Sequence, residues 1–206
     1  MLVKICGLNP ARDVQLCIDL GVDFLGFVFY EKSPRNIRLN EIEKLKSYNK
    51  KKSQFVAVTV NPSDEFVKNV VLGKFDYIQL HGSESKERVK KIKSMGIKVI
   101  KAIKIKTNSD IKEYKNYDNA NIILFDTPGM EKSIQFPKEL ITKIPKGDRF
   151  ALAGSISENN VENLVKLGVN FFDLSSSLET KLGHKDHLKI QIFMKKIKSI
   201  NENTTV

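Results

Sequence analysis

Eight short runs rich in β-branched and aromatic residues recur along the chain, each followed by a segment of helical periodicity. That alternation constrains the fold more than any other feature. The runs are LVKIC, FLGFVF, FVAVTV, YIQL, KVIKAI, IILFD, FALAG and FFDLS. Helical spacing follows at 10–21, 40–50, 63–72, 85–95, 110–117, 137–142, 158–167 and 186–199. Asn9 with Pro10 reads as an N-cap followed by the first helical position, and Gly21, Gly73, Gly96 and Gly168 stand where helices end. Strand followed by helix, eight times, with no Pro/Ser-rich linker, is the count of a (β/α)8 barrel. The expectation is one α/β TIM-barrel domain over residues 1–206, with a doubly wound open sheet as the alternative.

A chain of 206 residues with 41% hydrophobic content can bury a core without staples. Two cysteines, Cys6 and Cys17, are too few for a disulfide framework. No stretch approaches the roughly 18 consecutive apolar residues of a membrane span, and no signal core is visible at the N-terminus. The chain therefore reads as soluble and cytoplasmic. The net charge of +11 invites a nucleic-acid partner, but most of it is lysine at helical spacing, as in KERVKKIKS, without an aromatic-plus-basic motif. A small anionic substrate is the expected partner, without nucleic acid or membrane.

In such a barrel, function sits at the carboxyl ends of the strands and in the loops after them. There the sequence places Cys6, the SPRNIR after the second strand, Gln79 and His81 in QLHG, Asp126 with Thr127, the AGS after strand seven and the SSS after strand eight. Loops after strands seven and eight hold phosphate in many barrels, which fits a phosphorylated sugar. Cys6 alone reads as readily as a packed hydrophobe, and Cys17, on the apolar stripe of its helix, reads as core. His81 reads equally as a ligand contact or as a structural histidine orienting its loop. It has no His or carboxylate at metal-ligand spacing, so a metal is not expected.

KICGL, GFVFYEKSPRNI, QLHG, LFDT, LAGSISENNV and FDLSSSLETKLGHKD resemble, in order and approximate spacing, the phosphoribosylanthranilate isomerases of tryptophan biosynthesis. The resemblance runs from Lys4 to Asp186. It implies a (β/α)8 barrel that carries out the Amadori rearrangement of N-(5'-phosphoribosyl)anthranilate without metal or cofactor, as a monomer or homodimer. It further implies Cys6 as general base, Asp126 as general acid and Arg35 as anchor of the anthranilate carboxylate. Gly154, Ser155, Ser176 and Ser177 would hold phosphate, and His81 would touch substrate. The acid must stay partly protonated and the base partly ionised, against ordinary pKa values of about 4 and 8.5. Burial at the barrel mouth can raise the first. Lys4, on the same strand face as Cys6 by parity, could lower the second.

Three departures from the family stand on substrate-holding loops. FDTPGMEKSIQFP has one glycine where the family carries GGTGxxFDW, Ser155 replaces the second glycine of AGGL, and Ser177 replaces the glycine of SSGVE. A serine at a positive-φ position costs on the order of 1 kcal/mol. A related phosphosugar isomerase and a non-catalytic barrel are the alternatives these departures leave open.

Overall fold

The computed structural model describes residues 1–126 and 138–204, and Thr127 with the rest of the altered strand-six loop lies outside the described residues. The eight runs form β1 (Leu2–Cys6), β2 (Phe24–Phe29), β3 (Gln54–Thr59), β4 (Tyr77–Leu80), β5 (Lys98–Lys104), β6 (Ile122–Asp126), β7 (Phe150–Ala153) and β8 (Phe171–Leu174). They pair in parallel in sequence order, and β8 returns to β1 to close the barrel. Closure is the barrel alternative over the open sheet.

Alternation along each strand sorts side chains between two cores. Phe24, Val28, Val56, Val58, Ile100, Leu124 and Phe171 fill the barrel interior. Phe171 stacks on Phe24 at 5.0 Å, and Tyr77 meets Phe24 edge-on at 5.4 Å. The opposite parity, Val3, Ile5, Phe27, Phe55, Ile78 and Phe125 among others, packs outward beneath the helices. Strands buried on both faces read as continuous apolar runs, and hence were visible as such in the sequence.

The outer layer comprises α1 (Val14–Asp19), a 3-10 helix over Leu39–Ser47, α2 (Asp64–Phe66) continued by a π turn to Val71, α3 (Lys86–Ser94), α4 (Asn108–Lys112) with a 3-10 extension to Tyr117, α5 (Lys138–Ile141), α6 (Val161–Lys166) and α7 (His187–Thr204). Ser63 and Ser85 cap α2 and α3, their hydroxyls accepting from Phe66 N and Arg88 N at 3.1 and 3.2 Å. α1 starts four residues later than the Asn9–Pro10 reading. The buried Asp13 carboxylate accepts the Asn9 N–H at 2.8 Å and Asp13 N donates to Asn9 O, so residues 9–13 close as a turn and the helix begins at Val14. A hairpin absent from the sequence reading, β9 (Glu179–Lys181) with β10 (His184–Lys185), stands between β8 and α7.

Candidate active site

Cys6, Gln79 and Asp126 belong to the inward parity of β1, β4 and β6, as Lys4 and Asp173 do on β1 and β8. Parallel strands put the last residue of each at one end of the barrel, so Cys6 and Asp126 share its carboxyl-terminal mouth. Lys4 and Asp173 are register partners across β1 and β8, and Lys4 Nζ donates to both Asp173 oxygens at 3.0 and 2.9 Å. Both side chains are buried. Gly26, on the adjacent strand β2, makes this possible: a Cβ there would stand 3.2 Å from Lys4 Nζ and 3.3 Å from Cys6 Sγ.

Strand parity puts Lys4 beside Cys6, and the two do interact, but the expected lowering of the thiol is reversed. Burial pushes the Cys6 thiol above its ordinary value, Lys4 pulls it down, Asp173 pushes it up again, and burial prevails. The cation is committed to Asp173. That pairing, acting against burial, holds Lys4 above its usual range, while burial keeps the Asp173 carboxyl raised despite Lys4. Cys17, on the buried face of α1, is pushed up by burial to about 12, the behaviour of a core thiol.

Asp126 accepts from or donates to His81: Nε2 lies 3.0 Å from Oδ2. The other ring nitrogen, Nδ1, is 3.2 Å from Gln79 Nε2. The loop that carries His81 is clamped from outside the barrel. Buried Lys101 donates to Leu80 O, Gly82 O and Glu84 Oε2 at 3.3, 2.8 and 2.8 Å, and Glu84 Oε1 accepts from Asn61 N and Gly82 N. Burial raises the Glu84 carboxyl, but Lys101 and the Asn61 N–H outweigh it and hold it below the ordinary range.

Arg35, in the loop after β2, does not stand in solvent. Its Nε and Nη2 fork onto Glu179 at 2.7 and 2.8 Å, and Lys185 Nζ shares Glu179 Oε1 at 2.8 Å. Its stem crosses Gly7, where a Cβ would fall 2.5 Å from Arg35 Cδ and where φ is +77°. Glycine is therefore required at position 7 on two counts. Lys185 also donates to Ser175 O at 3.0 Å, and Ser175 Oγ donates to Cys6 O at 3.1 Å, so the segment after β8 is tied to the tip of β1.

The two substituted glycines differ in kind. Ser155 has φ +49°, beside Gly154 at +107°, so it keeps a glycine-type backbone. Ser177 lies in a one-turn 3-10 helix over Ser176–Leu178 and has no positive φ. Ser155 and Ser176 are exposed and Gly154 and Ser177 half-buried, all near strand ends of β7 and β8. Among the described residues, no group of three or more His, Cys, Asp or Glu could hold a metal ion, and no helix is long and apolar enough to cross a membrane.

Sequence reasoning missed Glu179, Lys185 and Asp173. A lone aspartate at an inward position of FFDLS, level with a lone lysine of LVKIC, was the available signal for Asp173. No spacing in the sequence pairs Glu179 with Arg35, which lies 144 residues away; its near partner is Lys185, six residues on.

A closed parallel barrel whose ionisable side chains gather inside its carboxyl-terminal mouth is a (β/α)8-barrel enzyme. The family model of N-(5'-phosphoribosyl)anthranilate isomerase matches residues 3–196, and the chain belongs to that family of isomerases of tryptophan biosynthesis. It is 33% identical over 217 aligned residues to the N-(5'-phosphoribosyl)anthranilate isomerase of Rhodopseudomonas palustris, covering 100% of this chain and 99% of that one. A crystal structure of phosphoribosylanthranilate isomerase in complex with reduced 1-(o-carboxyphenylamino)-1-deoxyribulose 5-phosphate superposes with a TM-score of 0.83 at 30% identity, covering 97% and 100% of the two chains. Monomers of the dimeric phosphoribosylanthranilate isomerase from Thermotoga maritima match with a TM-score of 0.82 at 29% identity and the same coverage.

Proposed function

We propose that this chain converts N-(5'-phosphoribosyl)anthranilate to 1-(2-carboxyphenylamino)-1-deoxyribulose 5-phosphate, with Asp126 as general acid and Cys6 as general base. The observation that carries the reading is the presence of an inward thiol on β1 and an inward carboxyl on β6 at one barrel mouth, in a chain of this family.

Asp126 gives its proton to the ribose ring oxygen, the C1'–O bond breaks, and the anilino nitrogen lone pair forms the C1'=N iminium. Cys6 as thiolate then takes the C2' proton, and that electron pair neutralises the iminium to an enolamine. Ketonisation follows: C1' takes up a proton and the 2'-hydroxyl gives one up. Acid and base in place each contribute roughly 10²–10⁴-fold in such reactions.

Arg35 is proposed to hold the anthranilate carboxylate. Its fork on Glu179 uses Nε and Nη2 and orients the remaining Nη1 edge for a planar two-oxygen acceptor. His81 stands against Asp126, which supports a positioning role for it as much as a substrate contact. The phosphate is proposed to lie on the backbone N–H groups and hydroxyls of Gly154, Ser155, Ser176 and Ser177. The substrate is small and anionic, in keeping with the net charge of +11. Dimer or monomer is to be read from sedimentation of the whole chain.

The test is turnover of freshly prepared phosphoribosylanthranilate, followed by loss of its fluorescence. Activity is expected in the wild-type chain, with kcat reduced by roughly 10²-fold or more in Cys6→Ser and Asp126→Asn and KM little changed. A folded wild-type protein without turnover would reject the reading in favour of a non-catalytic barrel.

A further inference from the structure

Gln79 is 1% exposed, and its Oε1 has no hydrogen-bond partner among the described residues. A buried amide oxygen left unmatched costs about 1–3 kcal/mol, so its presence in the barrel interior calls for a reason. The other end of the same amide supplies one. Gln79 Nε2 lies 3.2 Å from His81 Nδ1, and His81 Nε2 lies 3.0 Å from Asp126 Oδ2. Gln79, His81 and Asp126 form one chain of hydrogen bonds from the interior to the mouth.

Such a chain has a polarity. When Asp126 is charged it only accepts, so His81 must carry its proton on Nε2, leaving Nδ1 bare to accept from Gln79 Nε2. When Asp126 is protonated, the proton it is to give up must sit on the oxygen that faces the substrate, and Oδ2 still accepts from His81 Nε2, so the same tautomer serves both states. Of the two ends of the amide, only Nε2 donates, and it is the end that meets the bare Nδ1.

We propose that Gln79 is a positioning residue for the rearrangement: the Nε2 donor of its amide holds His81 in the one tautomer that keeps Asp126 Oδ2 occupied and leaves the other carboxyl oxygen to carry the proton to the substrate. The inference rests on Asp126 being the general acid, which must be protonated and charged in turn during each turnover while His81 keeps that tautomer. Gln79 touches no reacting atom and acts through His81. The rigid seat this demands is present, since Lys101 and Glu84 fix the backbone on both sides of His81, and the Gln79 carbonyl itself accepts from Thr59 Oγ1 at 3.0 Å.

The experiment uses the whole chain with 15N-labelled histidine and assigns the His81 ring signals in wild type, Gln79→Glu and Gln79→Met, alongside steady-state kinetics. A carboxylate at 79 can only accept, so Gln79→Glu is expected to put a proton on Nδ1. Gln79→Met removes both partners, so a mixture of tautomers is expected. In both, kcat should fall about 10-fold or more while KM moves less than about 3-fold, the pattern of an interaction lost in the transition state. The Met variant, apolar and of similar length, decides alone if the buried carboxylate prevents folding. Unchanged His81 signals overturn the proposal whatever the rate does, and changed signals with wild-type kcat overturn the role in the reaction. Full activity of Asp126→Asn would instead reject the acid assignment, a separate result that leaves the tautomer readout standing.

Discussion

Arg35 and Glu179 form a two-pronged ion pair, Nε to Oε1 at 2.7 Å and Nη2 to Oε2 at 2.8 Å, that joins the loop after β2 to the hairpin after β8. A fork of this kind fixes the guanidinium plane as well as its position. Glu179→Gln keeps the size but loses the charge that orients Arg35 and balances Lys185. KM for phosphoribosylanthranilate is expected to rise about 10-fold, with a smaller fall in kcat, and Arg35→Ala should raise KM further. Steady-state kinetics on the two variants checks this, and a large kcat effect with constant KM in Arg35→Ala would remove Arg35 from substrate binding.

The thiol of Cys6 offers a second prediction. Burial raises its pKa and Asp173 adds to the rise, so the base is mostly protonated near neutrality and kcat/KM should still be climbing above pH 8. Removing the Asp173 charge releases Lys4 to act on the thiol alone. In Asp173→Asn the pH profile of Cys6 alkylation should move down, while Cys17, pushed up to about 12, stays unreactive in both proteins. The same change leaves buried Lys4 uncompensated, at a stability cost of about 3–5 kcal/mol. An alkylation profile moving upward would show that Lys4 does not govern the thiol.

Ser155 and Ser177 should respond oppositely to restored glycine. Ser155 holds φ +49°, where a Cβ costs about 1–2 kcal/mol, so Ser155→Gly is expected to raise Tm. Ser177 sits in helical backbone, where glycine only adds unfolded-state freedom, so Ser177→Gly should lower Tm by the equivalent of about 0.5–1 kcal/mol. Inhibition by inorganic phosphate should weaken in both if their hydroxyls contact the anion. Thermal melts and phosphate Ki values measure the two effects separately.

Glu84 predicts acid sensitivity. Its folded pKa lies below the ordinary value of about 4.3, despite burial, because Lys101 and the Asn61 N–H favour the charged form. A depressed carboxylate contributes stability that is fully present above the unfolded pKa and is lost as pH falls through the folded one. Wild type should therefore lose stability below about pH 4.5 in a step that is smaller in Glu84→Gln. At neutral pH that variant should already be weaker by about 3–5 kcal/mol, since Lys101 remains buried without its partner. Denaturant midpoints at pH 3.5 to 7 provide the comparison.

The barrel was legible because local chemistry dictates it. β2 and β6 run over Phe24–Phe29 and Ile122–Asp126, the very bounds of FLGFVF and IILFD, since parallel strands buried on both faces must be apolar throughout. Strand ends then located Cys6, His81 and Asp126, and parity located Lys4 beside Cys6. The start of α1 was not legible: a long-range demand on Asp13, whose carboxylate also meets Arg12 and His187, overrode the cap reading at Asn9. The direction of the Cys6 shift escaped for a similar reason. Proximity of a lysine can be read from alternation, but burial, and the claim of Asp173 on that lysine from 169 residues away, exist only once the barrel closes. So the sequence by itself determined which residues reach the mouth of this barrel. Only tertiary structure decided what charge each of them faces there, because ion pairing and desolvation depend on distances through space that no local spacing encodes.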